Sequence, residues 1–362
     1  MYVRALCNEI ASYAGTVKEP VYTVFFGGGT PSVLTPDLLK KIMDTVVTHY
    51  DLIPGAEISL ECNPGTAERA TLAAYRSIGI NRLSIGLQSA CDSELKILGR
   101  IHDNKQFKSV YYEARDVGFD NINIDIMSAI PGQTIESYEN TLTEIVNHDP
   151  EHISAYSLII EEGTKFHDLY GDDNSVIYTH KVNDLSSHSN TRCDIPSLPD
   201  EDTERDMYHM TKEILSSAGY HRYEISNYAK DGYECRHNSV YWTGGKYLGF
   251  GLGASSYYGD NRYKNTSDLG EYLEQKGKRY DLIYIDESSA MEESMYLGLR
   301  MMKGVSITDW RKRFKRDIWD VYGKELRKLI TDGLIVTDND RIRLTDRGID
   351  VSNIVFSNFL LD

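Results

Sequence analysis

The stretch Val21–Ser32, which reads VYTVFFGGGTPS, decides the fold. Its first six residues are β-branched or aromatic, a composition typical of a buried β-strand. Three glycines and a threonine follow, and Pro31 prevents the strand from continuing in regular form. Because glycine has no Cβ, the backbone of Gly27–Gly29 can turn sharply and approach a ligand closely. The sequence therefore predicts a strand that ends in a ligand-binding turn.

Strands and helices alternate outward from this stretch. Helices are predicted before it, at Met1–Ala14, and after it, at Leu38–His49. Further strands are predicted at Glu57–Leu60, Arg82–Gly86, Asn121–Met127 and His152–Leu158, each followed by a helix or a polar turn. Such a series favours an α/β fold with a parallel sheet, closed as a TIM-like barrel or part of one, over an open sheet. A helix at the very start is unusual for this architecture, because a strand is expected before it.

The rest of the chain divides into three further segments. Residues 1–170 form the predicted barrel, and 171–200 is an irregular loop rich in Asp, Asn and Ser. Residues 201–285 begin with a helix and include an expected edge strand at Tyr223–Tyr228. Residues 286–362 contain helices followed by a short two-stranded wing, which predicts a winged-helix-like domain. Its mixed charge argues against DNA binding.

Composition limits the possible functions. The 362 residues carry a formal net charge of -16, which argues against nucleic acid as a partner. No apolar run is long enough to span a bilayer, and no secretory signal is recognisable, so we predict a cytoplasmic protein. The five cysteines are scattered along the chain and are expected to be isolated reduced thiols.

Polar side chains follow the predicted strands at their carboxyl ends, where the site of a parallel β/α barrel forms. Asp125 is the most informative of them, since a carboxylate within an apolar run needs a partner. Glu61 and Gln88 also have purely structural interpretations, as a capping group and as a partner for backbone atoms. The turn itself lacks the spacing of a dinucleotide-binding or P-loop motif. Together these groups predict a site for a polar, zwitterionic ligand, in which Arg100 would hold a carboxylate.

Several motifs, in this order and spacing, carry a resemblance to a known family. They are GGGTPS at 27–32, ECNP at 61–64, NRLSIGLQS at 81–89, GRIH at 99–102, NINID at 121–125, PGQT at 131–134 and HISAY at 152–156. The chain resembles radical S-adenosylmethionine proteins of the oxygen-independent coproporphyrinogen III oxidase family. The segments YEISNY at 223–228 and RHNSVYW at 236–242 resemble the heme chaperone branch of that family.

The resemblance implies a (βα)6 radical S-adenosylmethionine barrel with a 4Fe-4S cluster and S-adenosylmethionine. The expected S-adenosylmethionine-binding residues are Gly27, Gly28, Gly29, Thr30, Glu61, Gln88, Arg100, Asp125 and Tyr156. It further implies heme bound near 237–242, with His237 as the first candidate ligand and Tyr241 as the second. A structural role for His237, in a turn with Asn238, is the alternative. No catalytic residue is assigned.

One departure from the family concerns the cluster. Family members carry its ligands as C-x-x-x-C-x-x-C after the first barrel strand, whereas this sequence begins within the expected first helix. Cys7 lies on that helix and does not replace the three cysteines. We therefore expect no metal ligands in this chain, a missing first strand and an uncovered sheet edge. The sequence is either a truncated version of a longer protein or a natural product without the cluster.

Three functions follow from the resemblance. The first is a heme chaperone that binds heme for transfer to apoproteins and, when complete, binds the cluster and S-adenosylmethionine. The second is a coproporphyrinogen III oxidase, which converts propionates to vinyl groups in porphyrin biosynthesis. The third is a pseudoenzyme without a cluster that retains only ligand binding. The segment at 236–242 favours the heme chaperone.

Overall fold

The computed structural model describes residues 1–171, 196–274, 277 and 279–361. Most of the irregular loop predicted at 171–200 therefore lies outside the described residues. Within these ranges, no helix combines the length and hydropathy that crossing a lipid bilayer requires.

A seven-stranded sheet is the centre of the larger part of the molecule. Five strands run parallel in chain order: β1 Val21–Phe26, β2 Leu52–Cys62, β3 Arg82–Gln88, β4 Ile122–Ser128 and β5 His152–Ser157. Two short antiparallel strands extend the sheet beyond β5, namely β7 Asn227–Ala229 and then β6 His221–Arg222. Strands β1 and β6 lie at the two edges of this sheet, so the five parallel strands form part of a barrel.

Helices alternate with the strands, and most of them pack on one face of the sheet. They are α1 Tyr2–Ser12, α2 Pro36–His49, α3 Arg69–Ile78, α4 Asp92–Ile97, α5 Asn104–Asp116, α6 Ile135–His148, α7 Lys165–Tyr170 and α8 Glu201–Ser217. Apolar strand residues such as Leu60, Leu83 and Ile124 are fully buried against apolar residues of these helices. Burial of this apolar surface is the main stabilising contribution to the sheet–helix layer.

The inner face of the sheet is polar. Since side chains alternate between the two faces of a strand, the residues next to the apolar ones point inward. Those that are buried there include Glu57, Ser59, Arg82, Ser84, Asn123, His152 and Ser154. Burial of polar groups is costly unless they are hydrogen-bonded, so this face is stabilised by a network of side-chain hydrogen bonds.

The expected edge strand at Tyr223–Tyr228 is wrong in extent and in place. Only Asn227–Ala229 is a strand, and it lies between β5 and β6 instead of at the edge. The buried carboxylate of Glu224 accepts hydrogen bonds from the backbone N–H of Ser226 (2.9 Å) and from Asn227 Nδ2 (2.5 Å). These bonds bend the chain before β7, which shortens the strand.

The segment after β7 contains structure that sequence patterns did not predict. It comprises α9 Arg236–Trp242, β8 Ser255–Tyr258, β9 Asn261–Asn265, α10 Leu269–Leu273 and β10 Arg279–Tyr284. The three strands form an antiparallel sheet in the order β10-β9-β8. This segment contacts α1 through Glu9, whose carboxylate accepts hydrogen bonds from the backbone N–H of Gly251 (2.9 Å), Asn265 Nδ2 (2.7 Å) and the Tyr272 hydroxyl (2.6 Å).

A separate apolar core organises the C-terminal residues. The elements are α11 Glu287–Arg300, β11 Val305–Ser306, α12 Ile307–Phe314, α13 Ile318–Thr331, β12 Ile335–Asp338, β13 Arg341–Leu344, α14 Asp346–Asp350 and α15 Ser352–Ser357. The predicted wing corresponds to β12 and β13, and β11 adds a third strand in the order β11-β13-β12. Ion pairs such as Lys212–Asp346 (2.7 Å) join this domain to α8.

Candidate functional site

The glycine turn after β1 is exposed and has an unusual backbone. Gly28 and Gly29 have φ values of +78° and +68°, in the left-handed region that residues with a Cβ rarely adopt. A Cβ placed on either residue would meet no heavy atom within 4 Å. The conformation therefore requires glycine, and the space beside the turn is open to a ligand.

Glu61, at the end of β2, is bonded directly to this turn. Its Oε2 accepts a hydrogen bond from the backbone N–H of Gly28 at 3.0 Å. Burial raises the pKa of Glu61, the Gly28 N–H opposes that rise, and the negative charge of Asp125 adds to it. Two carboxylates that influence each other in this way favour a bound cation or a ligand with hydroxyl or ammonium donors.

Asp125, on β4, has the partners that its apolar sequence context required. Ser84 Oγ donates to Oδ2 at 3.0 Å, and Asn123 Nδ2 donates to Oδ1 at 2.7 Å. Burial raises the pKa of Asp125, while the hydrogen bonds from Asn123 and Ser84 lower it. The carboxylate is thus held in one orientation at the end of the sheet where Glu61 lies.

Gln88 lies at a distortion of β3. Its φ is +70°, which is uncommon for a residue other than glycine, and the pairing of β3 with β4 shifts register between Gly86 and Gln88. A bulge of this kind changes the direction of a side chain, and backbone strain concentrates at ligand-binding sites. Nothing in the sequence pattern of β3 predicted it.

Arg100 provides the positive charge of this site. Burial lowers its pKa and the nearby charge of Asp125 opposes that change, although a guanidinium stays charged in proteins. Within the described part of the chain it has no carboxylate within ion-pair distance. It is therefore available to bind the carboxylate of a ligand.

Exposed apolar side chains follow several of the strands that carry these polar residues. Tyr156, the last of the expected strand-end residues, is 40% exposed. Val33, Ile101 and Ile159 follow β1, β3 and β5 along the chain and are also largely exposed. A few polar groups surrounded by apolar side chains are typical of a small-molecule site.

His237 lies elsewhere, on α9 against the inner face of β1. Its ring stacks on Phe25, with centroids 4.8 Å apart. Nδ1 forms a hydrogen bond with Thr23 Oγ1 and Nε2 forms one with the Tyr241 hydroxyl, both at 2.9 Å. Both ring nitrogens are therefore occupied, and the proposed pairing with Asn238 is not among the hydrogen bonds of the described residues.

Burial lowers the pKa of His237 to about 4, although the negative charge of Glu57 opposes this effect. The ring is consequently neutral near pH 7, which is the form that coordinates a metal. Coordination of iron would still require one of its two hydrogen bonds to open. Burial likewise raises the pKa of Tyr241 to about 12, so its hydroxyl keeps its proton.

Glu57 anchors α9 and was missed by sequence reasoning. Its carboxylate accepts hydrogen bonds from the backbone N–H groups of Arg236 and His237, both at 3.0 Å. Glu57 and Glu61 share a face of β2, roughly 13 Å apart at about 3.3 Å per residue. The period-2 alternation of polar residues in β2, β3 and β4 was the signal that could have identified Glu57, Ser84 and Asn123.

Comparison with known proteins gives two family matches. Residues 5–145 match the radical SAM superfamily, and residues 285–351 match the HemN C-terminal domain. The chain is 33% identical to the heme chaperone HemW of Lactococcus lactis, over 100% of this chain and 89% of that protein. It is 34% identical to the heme chaperone HemW of Bacillus subtilis, over 99% and 91% respectively.

Among solved structures, the chain is similar to the coproporphyrinogen III oxidase HemN of Escherichia coli, a radical SAM enzyme. The TM-score is 0.79 at 21% identity, covering 99% of this chain and 82% of that one. At this identity the similarity concerns the fold. It confirms the predicted fold class, a parallel-strand barrel core followed by a helical C-terminal domain.

Proposed function

Since the chain belongs to the heme chaperone HemW family of radical SAM proteins, we propose that it binds heme and transfers it to apoproteins. The family implies S-adenosylmethionine and a 4Fe-4S cluster as cofactors. We propose that residues 1–170 hold S-adenosylmethionine, that 201–285 bind heme, and that 286–362 are a supporting domain. A cytoplasmic location fits the free thiols of the described cysteines.

The single observation that supports S-adenosylmethionine binding is the hydrogen bond from the Gly28 N–H to the carboxylate of Glu61, which lies near Asp125. The open glycine turn at Gly27–Gly29 offers backbone groups to the methionyl end of the ligand. Arg100 suits the methionyl carboxylate, and the carboxylates of Glu61 and Asp125 suit the ammonium and ribose hydroxyls. Gly27, Gly29, Thr30, Gln88 and Tyr156 complete the proposed set.

The described residues do not fit a 4Fe-4S cluster, whose ligands are cysteine thiolates. Cys7 and Cys62 are buried in apolar surroundings, on α1 and at the end of β2, while Cys91 precedes α4 and Cys235 precedes α9. No three His, Cys, Asp or Glu side chains in the described ranges form a group that could hold a metal ion.

Heme binding is proposed at α9, with His237 as the ligand and Tyr241 as the alternative. The neutral His237 ring fits heme iron in its chemistry. The hydrogen bond between His237 Nε2 and the Tyr241 hydroxyl lies within α9, whereas the hydrogen bond between Nδ1 and Thr23 Oγ1 fixes the ring to β1. Nε2 is therefore the nitrogen proposed to bind iron, after the Tyr241 hydroxyl has moved away.

Heme titration of single variants tests this assignment. Tyr241→Phe frees Nε2, so we expect tighter heme binding than in the parent chain, whereas His237→Ala should abolish the spectrum of histidine-ligated heme. Weaker binding by Tyr241→Phe would instead identify Tyr241 as the ligand. Unchanged spectra in both variants would exclude α9 as the heme site. Tyr112→Phe, which removes an exposed hydroxyl bonded to His148, is the matched control.

Transfer is tested by mixing the heme-loaded chain with apomyoglobin as a heme-free acceptor. If the chain transfers heme directly, the transfer rate should rise with the concentration of apomyoglobin, whereas passive dissociation would give a rate that does not depend on it. Heme that stays on the chain would contradict the transfer function and leave only binding.

A further inference from the structure

A chain of buried hydrogen bonds leads from Asp125 to the start of α9. Asn123 Nδ2 donates to Asp125 Oδ1 at 2.7 Å, and Asn123 Oδ1 lies 2.6 Å from His152 Nδ1. His152 Nε2 lies 2.9 Å from the Tyr223 hydroxyl, which accepts the backbone N–H of Cys235 at 3.3 Å. Asn123 and His152 are at most 2% exposed.

The chemistry of the groups fixes the direction of each bond. The Asn123 amide presents Nδ2 to Asp125 Oδ1 and to Ser84 Oγ, both at 2.7 Å, and both oxygens accept from it. Asn123 Oδ1 then faces His152, and because it only accepts, the His152 proton must be on Nδ1. Nε2 is left as an acceptor for the Tyr223 hydroxyl.

The surroundings of His152 keep it neutral, as this arrangement requires. Burial lowers the pKa of His152 well below its ordinary value, and the nearby side chains of Arg82 and His221 lower it further. Arg82 is itself 2% exposed on the inner face of β3. Ser154 Oγ also donates to Asn123 Oδ1, at 3.1 Å, so both acceptor positions of that oxygen are used.

We propose that His152, as the neutral Nδ1–H tautomer, is a positioning residue that sets the orientation of Asp125 through Asn123. Without the His152 donor, the Asn123 amide loses one of the hydrogen bonds that orient it and keeps those with Ser154 Oγ and Ser84 Oγ, so its bond to the carboxylate is weakened. The Tyr223 hydroxyl donates to His152 Nε2, which keeps the proton of His152 on Nδ1, and it accepts from the Cys235 N–H just before α9. Tyr223 therefore links the strand-end site to the segment proposed to bind heme. The role in ligand binding rests on the proposed function of Asp125.

The tautomer is tested first, on the parent chain, by nitrogen-15 NMR of the histidine rings. We expect His152 to carry its proton on Nδ1 and to show no titration between about pH 5 and about pH 8, where histidines ordinarily titrate. A proton on Nε2, or on both nitrogens, would overturn the proposal without any variant being made.

Two variants then separate positioning from packing. His152→Gln keeps a donor and an acceptor, whereas His152→Met has similar volume and neither. With His152→Met, we expect the pKa of Asp125, followed by carbon-13 NMR, to rise by about one unit, equivalent to about a tenfold change. S-adenosylmethionine affinity measured by calorimetry should fall by about tenfold, the effect of one charge-assisted hydrogen bond. His152→Gln should restore both values.

The matched controls are His148→Gln and His148→Met, at a largely buried histidine near the end of α6. They should change neither Asp125 nor S-adenosylmethionine binding. Equal Asp125 pKa values in the parent, His152→Gln and His152→Met would overturn the proposal. A parent chain that does not bind S-adenosylmethionine would refute the proposed function of the site, while the Asp125 titration would still decide the role of His152.

Discussion

At His237, local contacts determine what the residue can do. The motif around it indicated a heme ligand, and the structure places it between Thr23, Phe25 and Tyr241. The side chain thus joins α9 to β1 as well as being the proposed ligand. Its neutrality has a consequence for stability that can be measured without heme.

The predicted consequence is a loss of stability in acid. The pKa of His237 is about 4 in the folded chain and about 6.5 in an unfolded one. Below about pH 6.5 the unfolded state binds the extra proton, so the free energy of unfolding decreases as the pH falls towards 4. Glutamine at position 237 does not titrate. Over this pH range the free energy of unfolding of His237→Gln should therefore fall by less than that of the parent, the difference being on the order of 3 kcal/mol.

Urea denaturation at a series of pH values provides this comparison. His49→Gln, at an exposed position on α2, is the control and should follow the parent. A His237→Gln profile parallel to that of the parent would show that His237 is protonated without cost in the folded chain.

At the scale of elements, the strands that position the site were predictable and the segment at 221–284 was not. Strands β1 to β5 were recognised because each apolar run is local and is followed by a turn signal. Helix α9 depends on Glu57, which is 179 positions before Arg236, and no local pattern contains that contact. Strands β8 and β9 are rich in Ser, Asn and Tyr and acquire their structure by pairing with each other.

The site followed the same rule. Glu61 was predicted from its position at the end of a strand and Asp125 as a carboxylate within an apolar run, whereas the distortion at Gln88 arises from the register shift between β3 and β4. The expected open sheet edge corresponds to β1, which is the terminal strand of its sheet. Its inner face is nevertheless covered by α9, through Thr23 and Phe25.

Glu9 is one of the α1 residues that contact the segment after β7, together with Tyr2, whose hydroxyl accepts the backbone N–H of Leu252 at 3.3 Å. Glu9→Ala removes the acceptor of three hydrogen bonds, from Gly251, Asn265 and Tyr272. We expect the free energy of unfolding to fall by about 2–4 kcal/mol, because buried donors lose their partner. Urea denaturation measures this loss.

Glu139→Ala, at an exposed position on α6, is the control for Glu9→Ala and should change stability by less than about 0.5 kcal/mol. If Glu9→Ala behaves like Glu139→Ala, solvent replaces these bonds at no cost and the other contacts of α1, such as the hydrogen bond from Leu252 to Tyr2, are sufficient to hold it.

At the scale of the whole molecule, the placement of the cysteines predicts the outcome of iron–sulfur reconstitution. A polypeptide of this sequence, treated anaerobically with iron and sulfide, should show no stoichiometric 4Fe-4S absorbance, since its described cysteines are dispersed over the fold. A stoichiometric cluster that resists a chelator would contradict this expectation.

At the scale of the whole molecule, the proposed S-adenosylmethionine site on the barrel and the proposed heme-binding segment on α9 are joined by strand β2 and by the His152 network. Both depend on the same inner face of the sheet. The central claim is that the carboxylates at the strand ends bind S-adenosylmethionine, because the organisation of the remaining polar residues follows from it.

Calorimetric titration of S-adenosylmethionine tests that claim most directly. Asp125→Asn keeps the shape of the side chain and removes its charge, so we expect affinity to fall by at least about tenfold. Asp120→Asn, exposed at the opposite end of β4, should bind as the parent does. Equal affinity for the parent and Asp125→Asn, or no binding by the parent, would contradict the account.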